Sequence, residues 1–327
     1  MAVRRVIHVI VPRYALTDFL FGQMHGREDI RLIEHPMHRR GGLAAVLRGL
    51  EVYVLPWLRY SLHLDRAYID RLASIEPEDA VLFFAIENRK DLQLSRKFVG
   101  SRRQSLWLWN PIRKFRGNAI SRLWYRYWIR WSGMQAYTFD PTDASDNNFR
   151  LTDQVYRHPA GDGAAGAACA VPAQDVYFLG IDKGRLARLQ SLESELAQAG
   201  LTTHFHVVAD CRKRYSDAQR AWLASGWMPY DENLRRVGDS RALLELLQST
   251  QSGPTMRSME AAFLGRKLIT NNRSLRDTPL YHPSRVFILG QDDTAELRHF
   301  IDQPMQPLDL AVLRHHDIEH WIRQFGD

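Results

Sequence analysis

Residues 252–272, SGPTMRSMEAAFLGRKLITNN, set Thr255, Arg257 and Glu260 at the start of a helix otherwise built of small and apolar residues. Pro254 suits the first turn, because it gives up an N–H that has no partner there. Thr255, Met256 and Arg257 then offer backbone N–H groups and a cation to an anion such as a diphosphate. Glu260 lies about one and a half turns in. From there it can reach a ribose hydroxyl of a nucleotide whose phosphates sit at the helix start. Ala261 and Ala262 allow close packing beneath. The alternative is an i, i+3 surface ion pair between Arg257 and Glu260.

A second candidate is FLGIDKGR, residues 178–185. A strand ending at Gly180 runs into a short loop carrying Lys183 and Arg185, and a helix follows. Free N–H groups at a helix start beside mobile or forked cations suit a phosphate. A solvated basic helix start would carry the same residues. A third is FAIENRKD, residues 84–91, where Glu87 stands between an apolar strand and a helix. A carboxylate there could take a proton from an acceptor hydroxyl, or simply cap the helix. Asn110 in LWLWNP and Asp140 in YTFDPTD sit at comparable strand ends, where each could equally be a turn residue before proline.

The stretch NPIRKFRGNAISRLWYRYWIRWSG, residues 110–133, interleaves Arg113, Lys114, Arg116, Arg122, Arg126 and Arg130 with Trp and Tyr. Arg122, Arg126 and Arg130 recur at i, i+4 and i+8 and so share a helix face. Three readings fit. The helix packs aromatics inward and arginines outward. Or it meets an anionic membrane or acceptor. Or it binds single-stranded nucleic acid. The histidines form no metal set: His204 and His206 share a strand face without a third ligand, and His315 and His316 stand at an expected helix start.

Apolar runs and helical periodicities alternate along the chain. Strands are expected at 3–11, 31–36, 80–86, 105–110, 134–140, 175–180, 201–209, 267–271 and 284–290, with helical segments between them and a last helix over 315–325. This alternation argues for open, mostly parallel α/β sheets, with ligands at the carboxyl ends of the strands. Residues 158–174, HPAGDGAAGAACAVPAQ, lack periodicity and read as a linker. The expected organisation is an N-terminal α/β domain over 1–160, a linker over 161–174, and a C-terminal α/β domain over 175–327 that includes the last helix.

The bulk composition agrees with two globular domains: 327 residues, 45% hydrophobic and 25% charged. A net charge of +7 favours an anionic partner. Two cysteines exclude a disulfide framework. The N-terminal apolar run VIHVIV is short, contains His8 and reads as a strand rather than a leader. The expected setting is cytoplasmic, with at most peripheral contact at the inner membrane face.

The series FLGIDKGR, DENLRRVGDSRALLELLQ and GPTMRSMEAAFLGRKLITNN resembles the nucleotide-binding half of GT-B glycosyltransferases. It looks most like a bacterial family of lipopolysaccharide or capsular polysaccharide biosynthesis. LWLWNP and the closing DIEHWIRQF resemble that family too. The resemblance covers 175–325 well and the N-terminal half weakly. It implies two Rossmann-like domains facing across a cleft. It also implies a nucleotide-sugar donor as co-substrate, no other cofactor or metal, and a glycan or glycolipid acceptor. Lys183 and Arg185 would face the diphosphate and stabilise the leaving group, Glu260 would take the ribose hydroxyls, and Glu87 would be the candidate base. Many retaining members carry a second Glu eight positions before the ribose Glu. Here that position is Ser252, which leaves the stereochemistry open. No Asp-x-Asp occurs in the chain. The rival class is a basic nucleic-acid-binding protein built on the Arg/Trp-rich helix, and a sugar-nucleotide binder without catalysis is the third.

Overall fold

The computed structural model of the protein describes residues 5–36, 42–54, 60–115, 118–158, 172–247 and 253–326. The described chain divides into two compact units, Met1–Asp153 with Ile318–Asp327, and Gln154–Asp317.

In the first unit the chain runs β1 (Ile7–Pro12), α1 (Ala15–Phe21), β2 (Ile30–His35), α2 (Gly42–Tyr53), α3 (Arg66–Ala73), β3 (Ala80–Phe84), α4 (Arg89–Arg96), β4 (Arg103–Leu108), α5 (Ala119–Ser132), β5 (Gln135–Thr138), α6 (Pro141–Asn147) and β6 (Arg150–Leu151). The strands form one parallel sheet in the order β2-β1-β3-β4-β5-β6. β3, AVLFF, is buried at every position, as a central parallel strand covered on both faces requires. One face carries a core that includes Ile10, Tyr68, Phe83, Leu92, Leu106, Tyr125 and Ile129. Elsewhere in this unit Phe84 stacks on Trp107 at 4.5 Å between centroids.

The second unit runs β7 (Gln174–Ile181), α7 (Leu186–Gln198), β8 (Thr203–Val208), α8 (Asp217–Trp222), α9 (Tyr230–Gly238), β9 (Ser240–Glu245), α10 (Met256–Phe263), β10 (Lys267–Thr270), β11 (Val286–Ile288), α11 (Leu297–Asp302) and α12 (Leu310–His316). Its parallel sheet has the order β11-β10-β9-β7-β8. Leu189, Leu192 and Leu196 of α7 pack on Val176, Phe178 and Val207, the face that the helical spacing in LARLQSLESELAQ predicts. Both units are α/β with Rossmann-like parallel sheets, in agreement with the sequence.

Two readings change. The helix expected over 315–325 is broken: α12 ends at His316, α13 spans only Ile318–Trp321, and a 3-10 turn covers Ile322–Phe325. His315 and His316 therefore close a helix rather than open one. This tail also belongs to the first unit, not to the C-terminal half to which the sequence assigned it. The Trp321 ring stands edge-on to Trp107 at 5.5 Å, and its Nε1 donates to Thr152 Oγ1 at 3.1 Å. Burial of this indole on the first sheet outweighs the helical continuity of the sequence. The linker reading falls largely on residues outside those described, as do Arg116 and Ser252. Among the described residues no helix is long and apolar enough to cross a membrane.

Candidate active site

In the second unit the carboxyl ends of β7 and β9 and the start of α10 converge. Thr255 caps α10: its Oγ1 accepts from Arg257 N–H at 3.1 Å, and its own N–H donates to Ser258 Oγ at 3.2 Å. Two of the N–H groups expected to meet an anion are thus used within the cap. The Thr255 hydroxyl donates to Glu245 Oε1, which also accepts from Ser258 Oγ at 2.8 Å. Glu245 Oε2 accepts from Thr270 Oγ1 at 2.6 Å. Glu245 is buried at the end of β9 and fixes the α10 cap to the sheet. The sequence reading missed it. The available signal was a lone acid inside the apolar run ALLELL.

Glu260 is buried at 3% exposure. Its Oε1 accepts from Tyr230 OH and from Asn233 Nδ2, both at 3.1 Å, and its Oε2 accepts from Arg257 Nη1. The i, i+3 pair thus forms, but inside the unit rather than on its surface. Arg257 Nη2 also donates to Leu179 O on β7 at 3.2 Å, and its guanidinium lies over the Tyr177 ring at 5.7 Å. The Tyr230 hydroxyl meets Tyr156 OH at 2.9 Å. Burial first, and then the Glu260 charge, push the pKa of both tyrosines up and keep them protonated. Tyr177 is pushed up to about 12 by burial and by Glu260, with Arg257 opposing. Tyr156, Tyr177, Tyr230 and Asn233 were not singled out from sequence, because only the fold gathers them around Glu260.

At the end of β7, Asp182 is buried and accepts from Gly184 N–H at 3.1 Å, Leu186 N–H at 2.7 Å, Lys213 Nζ at 3.0 Å and Tyr215 OH at 2.9 Å. Burial alone would raise its pKa. The hydrogen bonds from Lys213, Tyr215, Leu186 and Gly184 outweigh that and hold it below the usual carboxylate range. Asp182 shapes the loop that carries Lys183. That side chain is exposed, and its backbone has φ +43°, a left-handed conformation that favours glycine. Desolvation, then Arg185 and Arg212, lower its pKa. Arg185 donates to three carbonyls: Leu246 at 2.5 Å, Ile181 at 2.6 Å and Asp182 at 3.2 Å. It therefore ties β7 to β9, with three of its five N–H donors committed. The Arg185 guanidinium also comes within 3.2 Å of where a Cβ on Gly180 would stand, so Gly180 admits it to the strand end.

In the first unit, Glu87 and Asn110 are brought together at the carboxyl ends of β3 and β4. Glu87 Oε1 accepts from Asn110 N–H at 2.7 Å and from Asn110 Nδ2 at 2.8 Å. The helix cap next to it is Asn88, not Glu87. Asp140 caps α6 through Asp143 N–H at 2.9 Å and binds Arg113 Nη2 at 2.8 Å. Beside it Asp143 is buried. Its Oδ1 accepts from Ile112 N–H at 3.0 Å and Asn147 Nδ2 at 2.9 Å, while its Oδ2 has no hydrogen-bond partner among the described residues. Burial pushes the Asp143 carboxyl up to about 6.

Arg122, Arg126 and Arg130 differ from the inward-aromatic, outward-arginine reading. Arg122 and Arg126 are half-buried, Arg126 donates to Asp146 O, and only Arg130 is exposed. His204 stacks on Tyr177 and His206 Nε2 meets Gly226 O at 2.8 Å. Among the described residues no group of three His, Cys, Asp or Glu side chains could hold a metal ion.

No protein-family model matches the chain, and no curated protein sequence does. Solved structures do. A sucrose-phosphate synthase from Thermosynechococcus elongatus is similar over 98% of this chain and 93% of its own, with a TM-score of 0.50 and 12% sequence identity. Anabaena HepE, solved in complex with UDP and glucose, is similar over 99% of this chain and 96% of its own, with a TM-score of 0.51 and 11% identity. The chain has the α/β fold of GT-B glycosyltransferases. In this fold the network around Glu260 and the Lys183 loop occupy the carboxyl edge of the second sheet, where open α/β sheets bind ligands.

Proposed function

We propose that the protein is a metal-independent glycosyltransferase that moves a sugar from a nucleotide-sugar donor to a glycan acceptor. The observation that carries this reading is Glu260. It is a buried carboxylate held by Arg257, Tyr230 and Asn233 at the start of α10, beside the carboxyl end of β7. This carboxylate is the group proposed to accept from a ribose hydroxyl, which would join or replace the Tyr230 and Asn233 hydrogen bonds on its Oε1. Arg257 beside it, with Lys183 and Arg185 at the carboxyl end of β7, would offset the charge that develops on a departing diphosphate. The strained backbone at Lys183 supports a role for that side chain, since a non-glycine left-handed residue persists only where its surroundings enforce it. Ala85, two residues before Glu87, has φ +56° and marks the first-unit loop in the same way. Glu87, oriented by Asn110, is the group proposed to take the proton of the acceptor hydroxyl. The UDP and glucose of the HepE complex support a nucleoside diphosphate as the leaving group. The acceptor reading, a lipopolysaccharide or capsule precursor, rests on the sequence resemblance.

Titration of the full chain with UDP, GDP, ADP and CMP by calorimetry tests this directly. One nucleotide should bind with a clear preference, and Glu260→Gln should weaken it. Binding without sugar transfer or donor hydrolysis would leave a sugar-nucleotide binder. No binding of any of the four would remove the reading.

A further inference from the structure

α5 is capped by Asn118, whose side chain accepts from Ser121 N–H at 2.8 Å, and is stopped by Gly133 in the left-handed region. Its inward face is Tyr125 and Ile129, with Trp128 packed against the same core. Its outward face is Ile120, Leu123, Trp124, Tyr127 and Trp131, each between 58% and 78% exposed. These recur at i, i+3, i+4, i+7 and i+11, which is one continuous stripe along the helix. A surface helix of a soluble domain normally turns charge outward; an apolar stripe of this length marks a contact.

A second stripe lies on α2, where Val46, Leu50 and Tyr53 are exposed. Its inward side is held by a buried ion pair from Arg48 to Asp91 at 3.1 Å. Arg89 of α4 lies over the Tyr53 ring at 5.4 Å, and Arg96 of the same helix lies over Trp128 of α5 at 5.8 Å. α4 therefore touches both α2 and α5, and the two stripes flank it within one unit.

We propose that the first unit docks on an anionic lipid surface through the outward stripe of α5, with that of α2 beside it. Charge selects this occupant: Arg122, Arg126 and Arg130 stand on the same helix as the stripe, and the surrounding sequence is basic. From Leu92 to Phe139 the chain holds ten Lys and Arg and no Asp or Glu. Juxtamembrane clusters of one positive sign are drawn to anionic headgroups. Trp and Tyr settle at the headgroup level while Ile and Leu reach the acyl boundary. Two copies of this chain meeting through the stripe would bring two basic fields together, which opposes self-association. A single-stranded nucleic acid stacks on aromatics but has no use for Ile120, Leu123, Val46 and Leu50. This inference goes beyond sugar transfer and stands without it, because the readout needs neither nucleotide nor turnover.

The test is sedimentation of the full chain with vesicles of phosphatidylcholine alone and of phosphatidylcholine mixed with phosphatidylglycerol. Wild type should pellet with the mixed vesicles and only weakly with the neutral ones. Added salt should weaken binding without abolishing it. Leu123→Ser, Trp124→Ser and Trp131→Ser together should lower partitioning at least about tenfold, since three apolar side chains that would enter the lipid are lost. The melting profile should hold, because all three are exposed. If the triple variant melts early, Trp124→Ser with Trp131→Ser gives the same reading. Brominated lipid should quench wild-type fluorescence and quench a Trp124→Phe, Trp131→Phe variant far less. Equal pelleting of wild type and variant overturns the proposal. So does a wild type that ignores mixed vesicles, whether it dimerises through the stripe or binds an oligonucleotide there instead.

Discussion

Arg257 and Glu260 close on one another one helical turn apart at the start of α10, with side chains only 14% and 4% exposed. Spacing alone suggested either an exposed pair or two groups facing a ligand. The pair is instead buried, with Tyr177 under the guanidinium and Tyr230 and Asn233 on the carboxylate. Truncating one member of a buried pair leaves the other charge uncompensated. Glu260→Ala is therefore expected to cost about 3 kcal/mol of stability, read by urea unfolding. Glu260→Gln keeps the shape and one acceptor oxygen, though its amide N–H2 must face a donor; it should cost less than truncation, while weakening nucleotide binding by about 1–3 kcal/mol in calorimetry. Wild-type affinity in the Gln variant would remove the ribose role.

Lys183 offers a cleaner separation of fold from function. Its left-handed backbone, next to Gly184, favours glycine. Lys183→Gly should raise stability by about 0.5–1 kcal/mol and lower turnover. A variant that is more stable and equally active would mean that the side chain does nothing at the diphosphate.

Glu87→Gln preserves an acceptor for Asn110 but cannot take a proton. Transfer should fall by about 100-fold or more with nucleotide affinity unchanged. Turnover within a few-fold of wild type would move the base elsewhere.

Asp143 carries a pH signature. Its carboxyl is pushed up to about 6 from 3.8, chiefly by burial. A raised folded pKa means the folded state holds the proton longer than the unfolded chain. The contribution is complete below about pH 4 and is lost as pH rises through about 6. Asp143→Asn keeps an oxygen for Ile112 N–H and Asn147 without that loss. The variant should be the more stable above pH 6, by up to about 3 kcal/mol from a shift of about two units. Parallel denaturation curves at all pH values for both proteins would refute this.

Lys267 is buried at the start of β10, and its ammonium donates to the carbonyls of Phe300, Ile301 at 2.9 Å and Gln303 at 2.6 Å, closing the end of α11. Lys267→Met fills similar space but strips those carbonyls of their donor. A loss of about 2–4 kcal/mol is expected in urea unfolding. A loss under 0.5 kcal/mol would mean that water replaces the ammonium.

Much of the architecture was legible before the fold was known. Fully apolar runs such as AVLFF and the Leu spacing of α7 have only one economical solution, a parallel sheet covered by helices. α3, α6, β6, β9 and α11 escaped a pattern reading because short elements offer too few periods to stand above background. The caps were partly visible: Thr255 and Asn118 sit where a helix begins, and Gly133 where one ends.

The residues at the two sheet edges were legible as types, and their partners were not. Lys183, Arg257, Glu260 and Glu87 announce themselves as charges at the ends of apolar runs. That Glu245 ties the α10 cap, that Tyr230 and Asn233 hold Glu260, and that Asn110 orients Glu87 depends on contacts across 10 to 30 positions of sequence. The same holds for α5. Its period alone put Arg122, Arg126 and Arg130 on one face, but period does not say which face meets the sheet. Tyr125 and Ile129 settled that by packing into the core, which turned Trp124 and Trp131 to the outside. By itself, then, the sequence determined the α/β class, most strand positions and the charged groups at the strand ends, because these follow from local periodicity and residue type. Tertiary structure alone decided which charges pair, which helix face is left bare and where the C-terminal tail belongs, because burial is a property of the folded surroundings rather than of any segment.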